Sequence, residues 1–231
     1  MAKNLKFIFS GIAGIVAPIV ALVCIFTAVG TYSAFSWQNN ALSDLGSMNQ
    51  EPTRSLFNYG LIAGGIMALG FAYGLKNYLR GWEGGTWAAI AFALEMLTLV
   101  GIGVFPGDFM PSAHVHYYVS VAFFVLFPVV GFMITYGLLK TGQKKLAGLT
   151  LLLAILAALV WIAHWTAHPF GPGVAIPEIV AAMCAGAWVA IVGALMVKKG
   201  FGEGSPSIEN NGAQGREGST GNKFFNSVIE E

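Results

Sequence analysis

Four histidines and three carboxylates lie at the ends of apolar stretches, and their spacing decides what chemistry they could perform. His164 and His168 are four residues apart, so a helix puts both on one face. Pro169 follows at once and ends that helix. His114 and His116 open another stretch, after Pro111 and Ser112, with Ser112 placed as its N-cap. Asp108 belongs to the turn Phe105-Pro106-Gly107-Asp108, and Asp44 to the segment Leu42-Ser43-Asp44-Leu45-Gly46. Glu178 opens the last apolar stretch, behind a Pro177 expected at the first helical position.

Such a set suits three kinds of chemistry. The first is a metal site: zinc catalysis needs three protein ligands and an open water position. His114, His164 and His168 are the candidate ligands, with Asp44 as fourth ligand or as the base that takes the water's proton. His116 is two residues from His114, so one helix does not aim both at one ion. The second is a single b-type haem held by one histidine from each of two helices. Covalent haem is excluded, because no Cys-x-x-Cys-His occurs. The third is transport, cued by Glu95 in the middle of an apolar stretch, where a carboxylate is costly. Glu95 reads equally as a proton or cation relay and as a neutral acid bridging helices, with Thr98 or a tyrosine as partner. A plainer reading stands beside all three. Histidines, like Trp161 and Trp165, favour a wet membrane boundary, and the acids then serve as caps. Asp44 would cap a short helix in its loop.

The elements that position these residues follow from composition. Of 231 residues, 56% are hydrophobic and only 10% charged, against about 25% in soluble domains. Nine of the charges lie from Lys198 onward. A soluble globular domain, a disordered chain and a basic nucleic-acid binder are excluded. A membrane-crossing helix needs about 20 apolar residues. Six stretches qualify, at Phe7–Gly30, Ser55–Leu75, Thr86–Phe105, His114–Leu139, Leu146–Thr166 and Ile179–Val197. Backbone polar groups in lipid must pair within the segment, so these are helices. The fold class is all-α: a six-span bundle over residues 1–199, with a polar and disordered tail over 200–231. The first span is read as a retained anchor, being too long for a cleaved signal peptide.

Lysine and arginine set the orientation. The N-terminus, the second and fourth connections and the start of the tail carry Lys3, Lys6, Lys76, Arg80, Lys140, Lys144, Lys145, Lys198 and Lys199; the other three connections hold only Arg54. Both termini are therefore expected in the cytoplasm, and the histidines outside. Cys24 and Cys184 are read as buried thiols acting as small hydrophobes. In the second span, Gly60 and Gly64 and then Gly70 and Gly74 are each four apart. This spacing suits close helix packing inside the bundle, or an oligomer contact. Pro18 and Pro128 are expected to bend their helices.

The Leu42-Ser43-Asp44-Leu45-Gly46 loop and the Val104-Phe105-Pro106-Gly107-Asp108 turn followed by a histidine resemble the signature of domain-of-unknown-function family 998. A polar residue opening the last helix, here Glu178, is a third likeness. That resemblance covers about residues 10–197 and implies a compact six-helix domain in an archaeal or bacterial plasma membrane. A weaker analogy is to the alkaline ceramidase and adiponectin-receptor hydrolases, which use a serine, an aspartate and three histidines around zinc. It would assign His164, His168 and His114 to the metal, and Ser43 with Asp44 to the remaining roles. The chain departs from that pattern in having six spans and an adjacent Ser-Asp in a loop. The resulting expectation is a metal-assisted hydrolase of a lipid amide or ester near the outer leaflet, with membrane lipids as partners and no nucleic acid. The alternatives are a structural or accessory membrane protein, a small-solute or cation transporter, and a single-haem electron carrier.

Overall fold

A computed structural model describes residues 4–202. Six long helices cross the molecule: α1 (Leu5–Thr31), α3 (Thr53–Tyr78), α4 (Gly85–Val104), α5 (Val115–Lys140), α6 (Lys144–Ala167) and α7 (Ala175–Gly200). A short α2 (Asp44–Ser47) lies in the first connection, and a single 3-10 turn covers Pro111–Ala113. All six long helices are long and apolar enough to cross a membrane, and no strand occurs among the described residues. Each long helix packs on its chain neighbour, and α7 returns to α1, so the bundle is a closed ring. The start of α1 and the end of α7 meet where the Asn4 N–H donates to the Gly200 carbonyl at 2.8 Å. That end is proximal below, and the end carrying α2 is distal.

The packing logic is that of a protein in lipid. On α1, large residues such as Phe9, Ile12, Val16, Ile19 and Val23 are exposed, while Gly11, Gly14 and Ala17 are buried. Hydrocarbon gives large side chains no reason to turn inward, and small ones let backbones approach. The glycines of α3 serve this purpose within the chain. A Cβ on Gly60 would strike Cys24, and one on Gly64 would lie 2.9 Å from the Ala21 Cβ. The centre is aromatic: Phe71, Phe92 and Trp188 meet at ring separations of 5.4 to 6.0 Å. The Trp188 indole N–H donates to Thr150 Oγ1 at 3.0 Å. Cys24 and Cys184 are free thiols.

Several helix ends differ from expectation. The last helix begins at Ala175, so Pro177 is its third residue rather than its first. Proline fits there as well, because the first-turn N–H groups have no partner inside the helix. Ser112 does not cap α5. It sits in the 3-10 turn, and His114, in a left-handed conformation at φ 50°, is the capping residue. The polar tail lies, from residue 203 on, outside the described residues, as does Lys3.

Candidate functional site: a distal polar cluster over a lateral groove

The first connection is fixed against the start of α7. The Gly173 N–H donates to the Gln38 carbonyl at 2.7 Å, and the Ala175 N–H to the Asn40 carbonyl at 2.9 Å. The Leu42 N–H then donates to Glu178 Oε2 at 2.6 Å. Glycine is required at 173, where a Cβ would lie 2.5 Å from the Asn40 carbonyl oxygen. Glu178 is thus buried and partly engaged in holding the loop. Asp44 is exposed, and its Oδ2 accepts the Asn40 side-chain amide at 2.9 Å and the Ala41 N–H at 3.0 Å. It organises the turn ahead of α2.

The neighbouring turn is held in a similar way. Arg54 grips Asp108 through two hydrogen bonds of 2.9 and 3.2 Å. The Gly107 N–H donates to Ser47 Oγ at 2.7 Å. This turn positions the carbonyl of Phe105, which lies 2.8 Å from His116 Nδ1. A carbonyl only accepts, so Nδ1 is the donor of this bond, and the tautomer with its proton on Nδ1 presents the Nε2 lone pair. Ser120, one helical turn on, places its Oγ 3.4 Å from that atom.

Of the three expected metal ligands, His164 and His168 lie together at the end of α6, and His114 stands at the start of α5. His164 is 1% exposed, and its Nδ1 has no partner among the described residues. Its ring stacks on Phe170 at 6.5 Å and meets Trp165 at 5.2 Å. His168 lies beyond the end of α6 in a left-handed conformation, exposed, with its ring centre 5.6 Å from that of His164. His114 is likewise exposed and left-handed, at the other helix end. Among the described residues, no three His, Cys, Asp or Glu side chains group closely enough to hold a metal ion.

Two cavities meet at the polar cluster. An inner one of about 90 Å³ lies between α1, α3, α4, α5 and α7, with Leu61, Met96 and Phe123 in its almost wholly apolar wall. The second is a groove of about 860 Å³ between α5 and α6, open to the side of the bundle. Ligand sites usually enclose about 300–1,000 Å³. Ser43, Ser120, Phe124 and Glu178 border both spaces. The groove has a polar distal end at Ser43, His116, Ser120 and Glu178, then an apolar wall that includes Val125, Val129 and Ile162. From His116 to Val129 the helical rise is about 20 Å. Pro128 lines the groove and lacks an N–H, so the carbonyl of Phe124 loses its helical partner there. Trp161 also lines it, and its indole N–H is buried without a partner among the described residues. No lysine or arginine is among the lining residues.

Glu95 borders neither cavity. It is completely buried, and neither carboxyl oxygen has a partner among the described residues. The Thr98 hydroxyl donates instead to the Glu95 backbone carbonyl at 2.6 Å, so the expected side-chain pairing does not form. Ser120 is the site residue that sequence reading missed. Its signal was the His-x-x-x-Ser spacing from His116, which puts both on one helix face.

Six apolar helices in a closed ring, each long enough to cross a membrane, define a multi-pass helical membrane protein. Within that class, the chain belongs to the family described as "Protein of unknown function (DUF998)", which it matches over residues 15–195. No curated protein and no solved structure matches it.

Proposed function

We propose that this protein acts on a neutral lipid ester or amide, which enters sideways from the distal leaflet through the groove between α5 and α6. The observation that carries this reading is the form of the groove: hydroxyl, imidazole and carboxyl groups at the distal end, and an apolar wall next to them that includes Val125, Val129 and Ile162. An amphiphile fits with its head at the polar end and its tail along Val125 and Val129. Each buried methylene contributes about 0.8 kcal/mol, though a tail leaving bilayer for groove gains little of that. Selectivity then comes from the head. Phosphate recognition relies on arginine or lysine, and the groove wall offers neither. Arg54, the distal arginine, is engaged with Asp108. The head is therefore an uncharged one that presents an ester, amide or hydroxyl.

In this reading the distal end is the outer face of a plasma membrane. The support is the basic residues, which gather at the proximal end: Lys6, Lys76, Arg80, Lys140, Lys144, Lys145, Lys198 and Lys199. The test is photocrosslinking in nanodiscs with a monoacylglycerol that carries a diazirine in its acyl chain. Adducts are expected on residues 116–129 and 158–166 and are expected to fall with Val125→Trp, which fills the groove. Phosphatidylglycerol carrying the same tail should label the groove less. Adducts spread evenly around the bundle would overturn the reading.

A further inference from the structure

We propose that Ser120 and His116 are the nucleophile and general base of an acyl-transfer site at the head of the groove. This rests on the lipid reading above and names the machinery for it. Three observations carry it. The Phe105 carbonyl, 2.8 Å from His116 Nδ1, fixes the tautomer that leaves Nε2 free to accept a proton. Ser120 Oγ lies 3.4 Å from Nε2, somewhat beyond the usual catalytic hydrogen bond of about 2.6–3.2 Å, which is often looser without substrate. Both side chains border the groove, and Ser120 also borders the inner cavity.

The ordinary fate of a helix hydroxyl makes the pair distinctive. Thr27, Thr98, Thr141, Thr150 and Thr166 all donate to carbonyls three or four residues back. The hydroxyl of Ser120 is directed to the imidazole instead. A nucleophile, a base within reach and a third group orienting the base form the general arrangement of an activated serine. Here the orienting group is a backbone carbonyl, itself fixed by the turn that Ser47 and Arg54 hold.

The reaction balances as hydrolysis. Ser120 Oγ bonds to the acyl carbon while its proton passes to His116 Nε2. The bond from the acyl carbon to the leaving oxygen breaks, and His116 gives that oxygen the proton. Water then adds to the acyl-serine ester and loses a proton to His116. The bond to Ser120 breaks, and the proton returns to Oγ. One ester and one water become one acid and one alcohol.

A long-chain alkyl fluorophosphonate, applied to the full chain in nanodiscs and followed by peptide mass spectrometry, tests this. An adduct on Ser120 is expected. It should be lost in Ser120→Ala, kept in Ser55→Ala, which lies outside the groove wall, and formed about 100-fold or more slowly in His116→Gln, since general-base assistance is worth about 10²–10⁴. Ser120→Cys keeps the volume nearly unchanged and guards against misfolding: alkylation of the introduced thiol by a long-chain iodoacetamide should slow when His116→Gln is added. Absence of a Ser120 adduct while the monoacylglycerol probe still labels the groove overturns the dyad and leaves the lipid reading standing. Absence of both overturns the two together. An adduct on Ser43 overturns the dyad.

Discussion

Glu178 Oε2 accepts the backbone N–H of Leu42 at 2.6 Å, a contact that joins residues 136 apart in sequence. It fastens the first connection to the first turn of α7 and so sets the distal rim of both cavities. Removing the acceptor leaves a buried N–H unpaired, at about 1–3 kcal/mol. Glu178→Ala should lower the thermal midpoint of the purified protein, and Glu178→Gln, which keeps an oxygen acceptor, should restore most of it. Equal losses in the two variants would show that the Leu42 bond is not what matters.

The α3 glycines allow a sharper comparison. A methyl at Gly60 has no room beside Cys24, whereas one at Gly70 would lie 3.6 Å from Ala13 in ordinary contact. Overpacking costs about 1–3 kcal/mol, while glycine to alanine in a helix gains about 0.5–1 kcal/mol. Gly60→Ala should destabilise and Gly70→Ala should not, as read by thermal unfolding in detergent. A change of oligomeric state with unchanged unfolding in Gly60→Ala would mean that the stripe serves a second copy instead.

The exposed histidines separate metal chemistry from the serine pair. His114 and His168 hold left-handed backbone at φ 50° and 48°, which costs a non-glycine residue about 1–2 kcal/mol. Glycine at either position should keep or raise stability and leave fluorophosphonate labelling intact. Loss of a stoichiometric metal, measured by elemental analysis, together with loss of activity in His168→Gly would support the zinc site.

Arg54 and Asp108 are half-exposed, with side-chain accessibilities of 30% and 47%. Pairs of this kind contribute about 0–1 kcal/mol. Asp108→Asn should leave the thermal midpoint nearly unchanged. Ser47→Ala, which frees the Gly107 N–H, should perturb the turn beneath Phe105 and slow Ser120 labelling. Unaltered labelling in Ser47→Ala would remove this turn from the account.

The six spans were legible because lipid imposes length and apolarity on every crossing helix, and their observed ends fall within about four residues of expectation. The ends themselves were not, because tertiary bonds decide them. Ala175 enters α7 since Asn40 accepts its N–H, and His114 displaces Ser112 as the cap of α5. Of the candidate site, Glu178, Ser43 and His116 are polar groups that the sequence places at one depth, and they do border one groove. The groove itself was hidden, since it depends on how α5 and α6 pack, with Phe124 and Trp161 in ring contact at 4.9 Å in its wall. The His164–His168 spacing was legible, but the burial of the His164 ring among Trp161, Trp165 and Phe170 was not, since spacing does not report which aromatics pack around a ring.

The most direct measurement is fatty-acid release from monoacylglycerol by the purified protein in nanodiscs. The account predicts release by the unmodified chain and its loss when Val125→Trp fills the groove. No release, or release that a filled groove does not change, would contradict it.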